Sequence, residues 1–282
     1  MNTLAIDIGG TKLTLGLFQD DQLVRRMSRP TDRAGGPAWM LQQIEDIGKT
    51  WAAEFKIDRC GIGFGGPVNF PRQRVICSTH VAGWENFDLV GAIRERLGLP
   101  AVVDRDTMVG ALGEGHHGAG TGARPLFYMT ISTGIGGGLL TESGLYHGAD
   151  SFSCEIGHHT VEPGGPECLC GARGCLERLC SGLWLQRDYG RPANELLQEP
   201  AFVERYARPL ATGLKNCIML LNPARIVIGG GISKAGDALF VPLRRELRRQ
   251  ITAWSRARVD IVPAQLGDDS ILWGALALSK AK

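Results

Sequence analysis

The chain has 282 residues, 44% of them apolar and 21% charged, with a net charge of +2. That length leaves room for two domains with sizeable cores, and so even a charge balance excludes the basic field carried by proteins that bind nucleic acid or anionic membranes. No apolar run approaches the ~20 residues that cross a bilayer, and the N-terminus opens on a strand without a basic, apolar leader, so a cytoplasmic protein is expected.

In chain order, residues 3–8 and 13–18 read as strands around the turn Gly9-Gly10-Thr11-Lys12. Met40, Ile44, Ile47 and Trp51 then line one face of a helix. Residues 60–64 form a short buried strand, 89–97 a helix, and 101–104 a strand leading to Asp106 and a helix over 108–114. A second, similar unit opens at 126–132, with the turn Thr133-Gly134-Ile135-Gly136 and a further strand. A helix over about 202–221, a strand over 225–228 and the turn Gly229-Gly230-Gly231 follow. Next comes a helix with Leu243, Leu247, Ile251 and Trp254 at helical spacing; its arginines, Arg244, Arg245, Arg248 and Arg249, read as a solvated basic face. The last helix begins near Asp269, with Ile271, Leu272, Ala275 and Leu278 apolar. Two strand-turn-strand halves, each with helices, indicate a duplicated α/β architecture with a cleft between the halves.

Between residues 155 and 177 the chain reads Glu-Ile-Gly-His, then nine residues, then Cys-Leu-Cys-Gly-Ala-Arg-Gly-Cys-Leu-Glu. His158, Cys168, Cys170 and Cys175 supply one imidazole and three thiols, the ligand set of a closed structural zinc site. Such a metal has no open position for chemistry, so its task is to hold neighbours such as Glu155 and Glu177 rigidly. The other cysteines, Cys60, Cys77, Cys154, Cys180 and Cys217, sit in apolar contexts and read as buried thiols of a reducing compartment.

Two apparent nucleotide motifs fail. Gly48-Lys49-Thr50 ends like a phosphate-binding P-loop, but Gln43 stands where its first glycine belongs, and the stretch lies inside an amphipathic helix. Gly229 and Gly231 follow a strand as in a dinucleotide fingerprint, but Lys234 holds the third glycine's place.

With the segment Asp7-Ile-Gly-Gly-Thr-Lys12, the zinc signature resembles the ROK family of sugar kinases and sugar-responsive repressors, in order from about residue 4 to about residue 278. The resemblance implies a two-domain actin-like ATPase fold, a duplicated ribonuclease H-like unit. Its expected domains are 1–107 plus 269–282, and 108–268 with the zinc loop at 154–178. It implies ATP held by Asp7, Gly9, Gly10, Thr11, Lys12, Thr133, Gly134, Gly229 and Gly230, with Asp7 facing catalytic Mg2+. Glycines at such turns let backbone N–H groups face a phosphate. Ala111-Leu112-Gly113-Glu114 matches the family's helix end and places the general base at Asp106. Read from the sequence alone, Asp106 could equally cap that helix.

The sugar contacts implied are Gly66, Thr79, Arg105, Asp106, Glu155, His158 and Glu177, with His158 shared between zinc and sugar. Here the chain departs from the family: Gly65 replaces a common proline, Arg105 stands where an asparagine precedes the base, and Cys77-Ser78-Thr79-His80 lacks the usual asparagine. Arginine only donates hydrogen bonds and brings charge, so an altered sugar, modified or acidic, is expected. The expected function is ATP-dependent phosphorylation of a hexose hydroxyl by a glucokinase-like enzyme. Its expected partners are small molecules, not nucleic acid or membrane, and it is expected to form a homodimer. The alternatives are an N-acetylmannosamine or other N-acylhexosamine kinase, a polyphosphate- or acetate-type phosphotransferase, and a non-catalytic sugar sensor. Repressors of the family carry an N-terminal helix-turn-helix, which this sequence does not show.

Overall fold

The computed structural model describes residues 1–78, 80–252, 255 and 257–280. The chain divides into two compact units: residues 1–117, 145–153 and from 268 on form one, and 118–144 with 154–267 the other.

The first unit begins with the meander β1 (Asn2–Ile8), β2 (Lys12–Gln19) and β3 (Gln22–Pro30). After α1 (Gly36–Ala52) come β4 (Arg59–Phe64), a small hairpin β5 (Val68–Asn69) and β6 (Arg74–Val75), α2 (Leu89–Leu97), β7 (Ala101–Arg105) and α3 (Asp106–His117). The sheet order is β3-β2-β1-β4-β7, antiparallel from β3 to β1 and parallel from β1 to β7. Leu4, Ile6, Leu13, Leu15 and Leu17 are buried, and α1 lays Met40, Leu41, Ile44, Ile47 and Trp51 into the same core. The sequence reading missed β3. It is an edge strand of mostly exposed, arginine-rich residues with no clean alternation. The signal available was Asp20-Asp21, both at positive φ (45° and 66°), the conformation a two-residue hairpin demands.

The expected boundary at residue 107 cuts off α3, which stays with the first unit. The cause is its packing on α9 (Ser270–Lys280). A Cβ on Gly113 would lie 2.0 Å from the Ser270 carbonyl oxygen, and one on Gly274 would lie 1.7 Å from that of Val109. Only glycine permits two helix backbones to approach so closely. Ser270 Oγ also donates to the buried Glu114 carboxylate at 2.7 Å.

The second unit repeats the plan with β8 (Leu126–Ile131), β9 (Ile135–Thr141) and β10 (Gly144–Leu145). The short helices α4 (Leu176–Cys180), α5 (Gly182–Tyr189) and α6 (Ala193–Leu196) follow the cysteine loop; then come α7 (Pro200–Leu221), β11 (Arg225–Gly229), α8 (Asp237–Gln250) and β12 (Asp260–Pro263). Its sheet order, β10-β9-β8-β11-β12, reproduces that of the first sheet. The core is again its own, with Phe127, Met129, Phe202, Leu210, Leu214, Ile226, Ile228 and Phe240 among its buried members. The basic helix ends at Gln250, so Ile251 falls beyond it, and Trp254 lies outside the described residues. Residues 145–153 leave this unit and pack with the first, a departure from the expected single 108–268 domain. Among the described residues no helix is long and apolar enough to cross a membrane.

Candidate active site

In the first unit three strand ends carry the candidate residues. Asp7 stands near the end of β1, opposite Thr14 on β2 and beside Gly63 on β4. The turn that follows is closed by Gly9 N–H donating to the Lys12 carbonyl at 2.9 Å. Its other carbonyls are held from behind: Thr31 Oγ1 donates to Gly9 O at 2.9 Å, Thr31 N–H to Thr11 O at 3.0 Å, and Arg33 Nε to Gly10 O at 3.0 Å. Thr31 and Arg33 escaped the sequence reading, because nothing local marks a residue that braces a turn some 20 positions away.

Asp106 is the first residue of α3, immediately after β7. Its Oδ1 accepts the N–H of the next residue, Thr107, at 2.7 Å. Its Oδ2 lies 3.6 Å from where a Cβ on Gly65 would stand, and the same Cβ would meet the Ile8 carbonyl oxygen at 3.1 Å, so Gly65 brings the main chain close to this carboxylate. Asp7 is buried; that burial first, then the neighbouring Asp106 carboxylate, pushes the Asp7 carboxyl up to about 7, against the pull of Lys12. Two mutually repelling carboxylates offer hard oxygen ligands, which fit Mg2+.

Arg105 is also buried, at 7% exposure. Its Nη2 donates to the Ser153 carbonyl at 2.5 Å, a main-chain acceptor within the same unit. Gly66 approaches the chain closely, a Cβ there meeting the Cys77 carbonyl at 2.6 Å. Thr79 lies outside the described residues, and the neighbouring His80 is exposed.

In the second unit the turn at Thr133-Gly134 is closed by Ser132 N–H donating to Gly134 O at 2.9 Å. The N-terminal end of α5 supports it, with Gly182 N–H on Ser132 O at 2.7 Å and Leu183 N–H on Thr133 O at 3.2 Å. Glu177, on α4, reaches the same turn: its Oε2 accepts the Ile135 N–H at 2.8 Å. Gly229 ends β11, and Gly230 follows at φ 85°, its carbonyl accepting the Ser233 hydroxyl at 2.8 Å.

Glu155 precedes the short turn Ile156–His158, and His158 N–H donates back to its carbonyl at 3.0 Å. The ligand atoms of His158, Cys168, Cys170 and Cys175 all lie within 4.8 Å of one another. Cys170 and Cys175 Sγ are 3.7 Å apart, and Cys168 Sγ is 4.0 Å from His158 Nδ1. Tetrahedral zinc, with bonds of ~2.3 Å to sulfur and ~2.0 Å to nitrogen, sets its ligands roughly 3.5–3.8 Å apart, so the four residues fit the metal. Gly174 (φ 67°) lets the knuckle close, since a Cβ there would lie 1.8 Å from the Glu162 carbonyl. With Nδ1 turned to the thiols, Nε2 is the ring nitrogen on the other side of His158.

The chain matches the ROK family over residues 3–282. An N-acetylmannosamine kinase from Citrobacter koseri is 32% identical over 294 residues, covering 99% of each chain. A glucokinase from Halalkalibacterium halodurans is 31% identical over 302 residues, covering 95% of this chain and 91% of the relative. The crystal structure of a ROK family glucokinase from Streptomyces griseus, in complex with glucose and AMPPNP, superposes with a TM-score of 0.86 at 27% identity over 99% of each chain. The duplicated sheets and these neighbours define the actin-like ATPase fold. The chain belongs to the ROK family.

Proposed function

We propose that the protein transfers the γ-phosphate of ATP to a hydroxyl of a hexose-like sugar, with Asp106 as general base. The chain is a sugar kinase, as its full-length relatedness to such enzymes supports. One observation carries the assignment of the base: Asp106 stands just after the end of β7 with its Oδ2 beside the Gly65 backbone and its charge felt at buried Asp7. The sugar oxygen attacks the γ-phosphorus, the bond to the β–γ bridging oxygen breaks, ADP leaves, and the hydroxyl proton passes to the Asp106 carboxylate. An ordinary carboxylate suffices, since a loose transition state develops charge on the nucleophile late.

For ATP, the proposed ligands are the Gly9–Lys12 turn, Thr133, Gly134, Gly229 and Gly230, with Asp7 toward Mg2+, which when bound neutralises charge on the phosphate oxygens. For the sugar they are Gly66, Asp106, Glu155, His158 and Glu177, with Arg105 next to the base. Zinc at His158 and the three cysteines is closed to substrate and keeps Glu155, His158 and Glu177 in place.

A neutral hexose such as glucose and an N-acylhexosamine such as N-acetylmannosamine are the two substrate readings, each matched by a relative of similar identity. Coupled ADP release over a panel of hexoses, N-acylhexosamines and sugar acids ranks them. In the same assay Asp106→Asn is expected to lower turnover on the best sugar by roughly 10² or more; near-normal turnover would leave Asp106 as a helix cap and end the assignment.

A further inference from the structure

Residues 145–153 are fastened to the end of β7 that carries the base. Asp104 is buried, its side chain 2% exposed, and its Oδ2 lies 2.7 Å from His147 Nε2. Its Oδ1 accepts the Arg105 backbone N–H at 2.8 Å. The His147 ring lies flat on Phe70, with centroids 4.1 Å apart and planes 10° from parallel. Further along, Ser151 Oγ accepts the Phe70 N–H at 3.2 Å, and the Ser153 carbonyl accepts Arg105 Nη2 at 2.5 Å. Ser153 Oγ donates to the Tyr146 carbonyl at 2.6 Å, closing the segment on itself. Gln73 grips β7 from the β5–β6 hairpin, exchanging hydrogen bonds with both the N–H and the carbonyl of Val103. The two residues before Asp106 are therefore both held by this segment, Asp104 through His147 and Arg105 through Ser153.

We propose that His147 is a positioning residue for phosphoryl transfer: held on Phe70, it anchors the Asp104 carboxylate, which fixes the Arg105 backbone and so the aim of Asp106. The inference rests on Asp106 being the base. A buried carboxylate needs donors on both oxygens, and His147 supplies the one on Oδ2. Without it Asp104 draws toward water, and the amide it holds, one residue before the base, moves with it. A displacement of about 1 Å in a reacting group can cost as much as 10²-fold in rate.

The test compares His147→Ala, His147→Gln, Asp104→Ala and the Ala/Ala double variant, with kcat and KM measured well below each variant's unfolding temperature and normalised to folded protein. His147→Ala is expected to lower kcat about tenfold while KM for ATP stays within about twofold. The Gln variant keeps an N–H donor and should recover most of the loss. The double variant should be no slower than the worse single one, because the two residues act as a unit. An unchanged kcat in folded His147→Ala, equal losses in the Ala and Gln variants, or additive losses in the double variant would each overturn the proposal. A merely structural residue would change the unfolding temperature and leave kcat per folded molecule alone. If His147→Ala does not fold, Ser151→Ala loosens the same segment without uncovering Asp104 and should lower kcat about threefold, an unchanged kcat again counting against the proposal. Asp106→Asn run alongside separates the two claims: if it alone loses turnover, the positioning role is wrong, and if it keeps turnover, the base is.

Discussion

Replacing Asp7 by Asn should stabilise the protein free of magnesium and nucleotide while disabling it. Burial and the Asp106 charge raise the Asp7 pKa from 3.8 to about 7. A raised pKa means the folded state binds this proton more tightly than the unfolded chain does. Its contribution is fully present below about pH 4 and is lost as pH climbs to about 7. At about 1.4 kcal/mol per unit, a rise of about 3 units makes the ionised carboxylate at pH 8 cost at most about 4 kcal/mol. Asparagine removes the charge and keeps the shape, but its N–H groups must find acceptors, so a net gain of about 2 kcal/mol is expected. For a chain of this size that is roughly 4–8 °C in Tm. The assay is thermal unfolding of both proteins from pH 5 to pH 8 after dialysis against magnesium-free buffer without chelator, which leaves zinc in place. The gap should widen from pH 5 to about pH 7, where the unfolded carboxyl is ionised and the folded one still holds its proton, and stay level from there to pH 8. A gap that does not change with pH, or Asp7→Asn unfolding first at pH 8, would refute the reasoning. Turnover of the variant with MgATP should fall by about 10² or more, the loss expected for a group that holds the metal of phosphoryl transfer.

Cys175→Ser should lower bound zinc to well below one ion per chain by metal analysis, and should reduce soluble folded protein together with activity, because metal binding and folding of the knuckle are coupled. Gly134→Ala would bring a methyl to 2.7 Å from Glu177 Oε2, the far end of a flexible side chain; KM for ATP is expected to rise about tenfold, with a smaller rise for the sugar as Glu177 shifts, and an unchanged KM for ATP would contradict the placement of this turn at the phosphates. Arg105→Asn removes the donor to Ser153 and should slow every sugar of the panel by a similar factor, about tenfold; a re-ranking of the sugars would instead assign Arg105 to the substrate.

What was legible in the sequence followed from local periodicity and local chemistry. The buried face of α1, Met40, Ile44, Ile47 and Trp51, was readable because a helix repeats its core contacts at fixed spacing. The cluster of His158, Cys168, Cys170 and Cys175 was readable because it is built within 18 residues of chain. What was not legible depends on partners distant in sequence. The edge strand β3 buries little and so shows no pattern. The helices after the cysteine loop, α4 to α6, are too short for periodicity to accumulate.

The candidate site divides along the same line. Asp7, Asp106 and the glycine turns stand in motifs that a family resemblance can align, so the chain itself displays their positions. Their supports are not displayed in that way. Arg105 reads in sequence as a charge awaiting an anion, and one contact it makes in the structure is with a main-chain carbonyl 48 residues away, which no motif displays. Asp104 looked like any strand residue, but it holds His147 across 43 residues, with Phe70 beneath the imidazole. Glu177 was expected at the sugar and is found bracing the N–H of Ile135 behind the second turn, a contact compatible with its second oxygen serving substrate. Residues that touch substrate are constrained in type by chemistry, and type is what a sequence displays. Residues that aim them are constrained by geometry, which becomes visible only when the chain has closed on itself. Tests restricted to the aligned motif would therefore miss the clasp around His147, where the rate of this kinase is expected to be most sensitive to a residue outside any motif.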